Sequence, residues 1–269
     1  MNNLQKKLFS VIPADWMIIP FPDVVFFQEG PGLLSRQFTT ADDGVPFLNI
    51  RCIKKDGTVD KNLAQYVNHK DAEKKYKHFM LEANDYVLSM SGTIGRLAKV
   101  QEEDLPLMLN TSVIRFRSFD EQRLDSYYLR HLLLSDLFYD QISNESQGSA
   151  QVNVGPTHLK KCYAALPPLP EQEKIAEVLS TVDEKLDNIE QEIEQTKTLK
   201  KGLMQKLLAG QLSVTGIPHS FNDSKLGPIP EDWVAVKLGS CTSKIGSGVT
   251  PRGGSEAYVN SGLKQCALK

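Results

Sequence analysis

The sequence predicts a mixed α/β (α+β) domain over residues 1–165, a long coiled-coil helix over residues 166–212, and a short segment of residues 213–269. Three observations carry this prediction. Short β-like runs separated by turn signals fill the first part of the chain. A proline cluster then opens an apolar heptad pattern. After the heptads, a motif from the start of the chain returns.

The heptad stretch is the strongest signal. Leu166-Pro167-Pro168-Leu169-Pro170 cannot continue a strand, because each proline fixes φ and lacks a donor. Pro170 suits a first helical turn, where the missing N–H is no loss, and Glu171 and Glu173 favour a helix N-terminus. Ile175, Leu179, Val182, Leu186, Ile189, Ile193, Leu203 and Leu207 follow in alternating steps of four and three, with Thr196 and Lys200 as the polar positions of the series. This is the seam of a two-stranded coiled coil rather than of a helix lying on a globular core. At 1.5 Å per residue, the roughly forty residues to Gly210 make a rod of about 60 Å that cannot bury its seam alone. Glu171 to Glu194 holds nine acidic residues and two lysines, whereas Lys197 to Lys206 holds four lysines and no acid. An antiparallel partner sets each acidic half against a basic half. The helix dipole alone favours the same gradient.

Composition bounds the rest. Apolar content of 41% is that of a soluble protein, and no run reaches the length of a membrane span. The N-terminal residues lack the apolar core and cleavage site of a secretory signal. Cys52, Cys162, Cys241 and Cys266 are scattered without a C-x-x-C, the pattern of free thiols in a cytoplasmic chain. The net charge of −2 does not announce a nucleic-acid binder. Arg51 to Lys77, however, holds eight basic and four acidic residues. Such a segment fits phosphate contact, but on charge alone it reads first as a solvated surface.

Within residues 1–165, strands are expected at Val24–Phe27, Pro46–Ile53, Tyr86–Met90, Asn110–Phe116 and Leu159–Leu166. Lys54-Lys55-Asp56-Gly57 is a hairpin turn signal. Helices are expected at Asp71–Phe79 and at Asp125–Ile142, the latter with an apolar stripe that reads as core. Ser91-Gly92-Thr93-Ile94-Gly95-Arg96 is a tight loop whose backbone can approach a ligand closely. Ser146 to Asn153 is small, polar and rich in amides, which suits either a turn or the reading of an adenine edge. The candidate phosphate contacts are therefore Arg51, Lys54, Lys55, Lys74, Lys75 and Arg96, and the candidate base contacts are Ser91, Thr93, Gln151 and Asn153.

Ile12-Pro13-Ala14-Asp15-Trp16 recurs as Ile229-Pro230-Glu231-Asp232-Trp233, 217 residues later. Each copy opens a stretch after polar residues, which suggests two copies of a domain-plus-rod unit. The second copy ends within about forty residues, and Ser240 to Gly262 is too rich in Ser and Gly to form a core.

With these residues in view, the chain resembles the specificity subunits of type I restriction–modification systems. The resemblance rests on the I-P-x-D-W opening, on Asp85-Tyr86-Val87-Leu88-Ser89 with its Gly92-Thr93-Ile94-Gly95 loop, and on Gly148-Ser149-Ala150-Gln151. It rests most specifically on Leu166-Pro167-Pro168-Leu169-Pro170-Glu171-Gln172 and the rod ending Leu207-Leu208-Ala209-Gly210. Ile245 to Pro251 looks like the start of a second recognition domain. The resemblance implies a target recognition domain that reads one half of a split site in double-stranded DNA. It implies long helices that dock modification subunits, which bind S-adenosylmethionine and methylate adenine. A motor and nuclease subunit is a further partner in that family. This chain departs from the pattern in having one complete domain and one complete rod, so a homodimer is expected to rebuild the pair.

No catalytic role is expected of the chain itself. There is no phosphate loop, and the one Pro-Pro lies between leucines, unlike a methyltransferase motif. Asp60, Glu73 and Lys75 have loose nuclease-like spacing, but Glu73-Lys74-Lys75 lies in a charged helical run. The five histidines show no metal-ligand spacing with the cysteines, so neither a metal nor a cofactor is expected. The competing reading is a coiled-coil interaction protein, or decayed fragment, that holds modification subunits without reading DNA.

Overall fold

The computed structural model describes residues 5, 7, 9–92, 94–145, 154–217 and 219–246, arranged as two compact units of residues 1–191 and 192–269. The first unit contains β1 (Met17–Pro20), β2 (Val25–Glu29), β3 (Phe38–Thr39), β4 (Gly44–Leu48), β5 (Gln65–Asn68), β6 (Tyr86–Ser89), β7 (Leu97–Lys99), β8 (Met108–Leu109), β9 (Val113–Ser118) and β10 (Tyr163–Leu166). One sheet has the order β2-β9-β6-β7 and the other β3-β5-β4-β8, with β4 and β8 parallel. The antiparallel pair β1-β10 ties the segment after the first I-P-x-D-W to the strand that precedes the rod, with Ile18 opposite Ala165.

All four residues of β6 are buried, because the strand has a core on each face. Tyr86 and Leu88 face a cluster that includes Phe21, Phe116 and Phe138, in which the Phe21 and Phe138 rings lie 5.2 Å apart. Val87 faces a second cluster with Leu48, Ile53, Leu109 and Val113. This period-two division accounts for the near-continuous apolar run of the strand. Asp85, fully buried just before it, accepts from Arg117 Nε and Nη2 at 2.8 and 2.7 Å. Arg115 Nη1 lies 3.5 Å from the other Asp85 oxygen, and Arg115 also donates to the Met80 and His78 carbonyls. Burial lowers the pKa of Arg115, and the Asp85 carboxylate opposes that shift. Asp85 is therefore a scaffold residue.

Several expected elements are shorter or divided. The helix expected over Asp125–Ile142 is two helices, Ser126–Leu134 and Asp136–Glu145, with Ser135 extended between them. The Ser135 hydroxyl donates to the Leu132 carbonyl and accepts the Phe138 N–H, so it closes one helix and caps the next. The strand expected over Pro46–Ile53 stops at Leu48, because the Asn49 side chain accepts the Arg51 N–H and turns Ile50–Cys52 into a 3-10 turn. The region expected as a strand at Leu159–Leu166 begins as the helical turn Pro156–Leu159, and pairing starts at Tyr163. The stretch Asp71–Phe79 is a short helix, His69–Lys74, followed by a 3-10 turn, Lys77–Phe79.

The long helix runs Leu169–Leu208. Gly210 closes it at φ 69°, with Gln211 N donating to the Lys206 carbonyl at 2.8 Å. In the second unit, β11 (Phe221–Ser224) and β12 (Gly227–Pro230) form a hairpin that places Pro230 beside Gly210. A Cβ on Gly210 would lie 2.2 Å from Pro230 Cγ, so this position needs glycine for both conformation and space. Beyond the hairpin, Val234, Val236, Leu238 and Ile245 are exposed.

Candidate nucleic-acid interface and helix junction

Because β4 and β8 run parallel, their C-terminal ends deliver Asn49-Ile50-Arg51 and Asn110-Thr111-Ser112 to one edge of the domain. Each turn is held by an Asn side chain. Asn49 Oδ1 accepts the Arg51 N–H at 2.9 Å, and Asn110 Oδ1 accepts the Ser112 N–H at 2.8 Å. Ser112 Oγ then accepts the Ile50 N–H at 3.3 Å and joins the two turns. Met90 N donates to the Ser112 carbonyl, which brings Ser91 to the same edge. Val154 N donates to the Met90 carbonyl at 3.0 Å, so the chain that follows Asn153 also arrives here. Gly30 packs against this edge so closely that a Cβ would lie 2.1 Å from the Leu109 carbonyl oxygen.

The edge thus gathers Arg51 and Ser91 beside a polar rim of Asn110, Thr111 and Ser112. The rim is hidden in the sequence, where Asn110 reads as the first residue of a strand. The polar triplet ahead of Val113-Ile114-Arg115-Phe116 was the available signal. Thr93, Gln151 and Asn153 lie outside the described residues.

Lys54, Lys55 and Arg96 come together elsewhere, around a cleft of about 490 Å³. The Lys54–Gly57 turn closes with Gly57 at φ 78°, and Arg96 Nη1 donates to the Ile53 carbonyl at 3.3 Å. Lys54 pairs with Asp60 at 3.7 Å. Hydrogen bonds from Thr58, led by its hydroxyl, lower the pKa of the nearby Asp56. The far wall of the cleft is the long helix, which contributes Asp183, Leu186, Asp187 and Glu190. These three cations therefore face an acidic wall as well as solvent. Lys74 and Lys75 sit at the end of the His69–Lys74 helix, and Lys75 Nζ lies 5.0 Å from the Tyr76 ring centroid. The six candidate phosphate contacts thus belong to three local features: the Asn49 turn, the cleft rim and the end of the helix His69–Lys74.

With this architecture in place, the comparisons decide the family. The family model for the type I restriction modification DNA specificity domain matches residues 13–198. The chain belongs to that family. Similar proteins include the type I restriction enzyme MjaVIII specificity subunit of Methanocaldococcus jannaschii, 28% identical over 80% of this chain and 51% of that protein. Another is the type I restriction enzyme EcoKI specificity subunit of Escherichia coli K12, 27% identical over 75% of this chain and 43% of that protein. The chain therefore spans about half the length of these relatives. Among solved structures, one described as concerning complex assembly and conformational transition of the type I system aligns with TM-score 0.54, covering 78% of this chain and 51% of its own, at 16% identity. The type I specificity subunit from M. genitalium aligns with TM-score 0.50, covering 77% and 48%, at 18% identity. These likenesses concern the fold.

In this specificity domain the long helix is seated on the core by its first turns. Gln172 is 1% exposed. Its side chain accepts the Asp125 N–H at 3.0 Å and donates to the Arg123 and Pro167 carbonyls at 3.0 and 2.9 Å. Ala176 is buried, and Ile175 is partly buried against the same core. Further along, His131 Nε2 meets Ser180 Oγ at 3.3 Å, and Arg130 Nη1 pairs with Asp183. Burial lowers the pKa of His131, and the adjacent Arg130 lowers it further. The seam residues Leu179, Val182, Leu186, Ile189, Ile193 and Leu203 are all at least 40% exposed, and Leu207 is half-buried.

Among the described residues, no group of side chains could hold a metal ion, and no helix is long and apolar enough to cross a membrane.

Proposed function

We propose that this chain is the DNA-reading component of a type I restriction–modification complex in the cytoplasm. Its domain reads one half of a split site, and its long helix positions partner modification subunits that carry S-adenosylmethionine. A motor and nuclease subunit joins in the restricting form of the assembly. The chain contributes no catalytic group in this reading. The observation that carries it is the specificity-domain match, which spans both the recognition domain and most of the long helix.

Two further points belong to the proposal. The exposed seam of the helix pairs with a second copy of the chain in antiparallel fashion, because acidic and basic halves then lie opposite each other. Base contacts come from Ser91, Thr93, Gln151 and Asn153 in this reading, and phosphate contacts from Arg51, Lys74 and Lys75. Lys54, Lys55 and Arg96 complete the phosphate set from the cleft side. Gel-shift titration with and without modification subunits tests the reading. Specific binding that falls steeply with salt supports it, and charge reversal at Lys54 and Lys55 should reduce the salt slope by about two units. Retention of modification subunits without any preference among DNA sequences would instead support the interaction-protein reading.

A further inference from the structure

The contacts between the domain and the long helix occupy a defined face. Gln172, Ala176, Ser180 and Asp183 recur at steps of four, four and three, so they form one stripe along the helix. Ile175, the first seam position, packs against the domain core; the seam beyond it, through Leu179, Val182 and Leu186, is a second stripe. At 3.6 residues per turn the two stripes are separated by roughly 80°, a little under a quarter turn. The domain therefore holds the helix at a fixed rotation relative to the surface that would receive a partner.

The two ends of the docking stripe are held differently. Gln172 is locked among backbone groups of the core. Two to three turns further on, the helix touches the domain through two side-chain pairs, Arg130 with Asp183 and His131 with Ser180. Both pairs come from the last half of the helix Ser126–Leu134 and are partly exposed. A rod anchored only at Gln172 could swing about the Pro167-Pro168 entry. Contacts about 12 and 16 Å along its axis, at 1.5 Å per residue, resist that swing with a long lever arm.

We infer that Arg130–Asp183 and His131–Ser180 form a latch that fixes the angle between the recognition domain and the rod. In doing so, the latch sets the spacing between half-sites that the assembly accepts. Arg130 and His131 are positioning residues here, acting through the helix rather than through DNA. The spacing consequence rests on the proposed function, while the angular constraint is independent of it.

The test uses the full chain in two arms. In the first, spin labels at Lys77→Cys and Gln191→Cys, with Cys241 and Cys266 replaced by Ser and with unlabelled chain in excess, report the intrachain distance distribution. Asp183→Asn and Arg130→Ala should each broaden it, and the charge swap Arg130→Asp with Asp183→Arg should narrow it again. Unchanged distributions, with wild-type melting behaviour, would overturn the latch. In the second, the chain with modification subunits methylates a DNA panel whose spacer differs by one base pair in either direction. The variants should lower the preference for the native spacer by roughly three- to tenfold, the scale of a partly exposed coupled pair. An equal loss of rate at every spacer would refute the spacing role. If wild-type chain shows no specific methylation while the distances respond to the variants, the functional reading fails and the latch stands.

Discussion

The Gln172 amide oxygen accepts the Asp125 N–H at 3.0 Å across 47 residues of sequence, at the point where the recognition domain hands over to the rod. The same side chain satisfies the carbonyls of Arg123 and Pro167. Gln172→Ala leaves one donor and two acceptors of the backbone without partners in a buried site. We expect a loss of about 2–4 kcal/mol from equilibrium denaturation, since each orphaned buried group costs on the order of 1–3 kcal/mol. Gln172→Glu should also destabilise the domain, because a carboxylate cannot donate to the two carbonyls.

Gly210 closes the long helix in a left-handed conformation against Pro230. Gly210→Ala should cost about 1–2 kcal/mol for the conformation alone, with the overlap on Pro230 in addition. Hydrogen exchange should accelerate in residues 206–212 and 221–230 while the amides of β6 stay protected.

The pKa of His131 in the folded chain lies below the ordinary value, because burial and the neighbouring Arg130 disfavour its charged form. The unfolded chain, near pH 6.5, then binds a proton more readily than the folded chain. The stability contribution is present above the unfolded value and is lost as pH falls through the folded one. Melting temperature should therefore decline on acidification from about pH 6.5 downward. His131→Gln should make this part of the profile flatter.

These features differ in how far they can be read from sequence. The long helix was legible because Pro170 and the heptad from Ile175 to Leu207 state its start and its period locally. The helix break at Ser135 was not, since the apolar stripe continues through it and only the Ser135 hydroxyl bonds reveal the division. The basic segment from Arg51 to Lys77 looked like one face. The turn at Asn49, the cleft rim at Lys54 and the helix His69–Lys74 instead place its cations on different local elements. Likewise, Gln172 read as part of a motif, whereas its role depends on backbone groups brought near only by folding. The meeting of the Arg51 turn with Asn110-Thr111-Ser112 follows from the parallel pairing of β4 and β8, which no local pattern announces.

Leu186 and Ile189 are about half exposed on the rod and belong to the proposed seam. Replacing both with Asp should weaken self-association by roughly a hundredfold or more, since each would bury a charge without a partner. Sedimentation velocity at micromolar concentration reads this directly. The domain should melt as in the wild type, because neither residue is part of its buried core. Wild-type association of the double variant would remove the seam from the pairing account.

The central proposal is that the recognition domain of this chain reads DNA as one of two identical halves of a homodimer. Mapping methylated adenines on genomic DNA treated with the chain and its modification subunits tests it most directly. The account predicts one interrupted palindrome, because two copies related by a two-fold axis must read the same half-site on opposite strands. A target with two unrelated halves, or methylation without sequence preference, would contradict it.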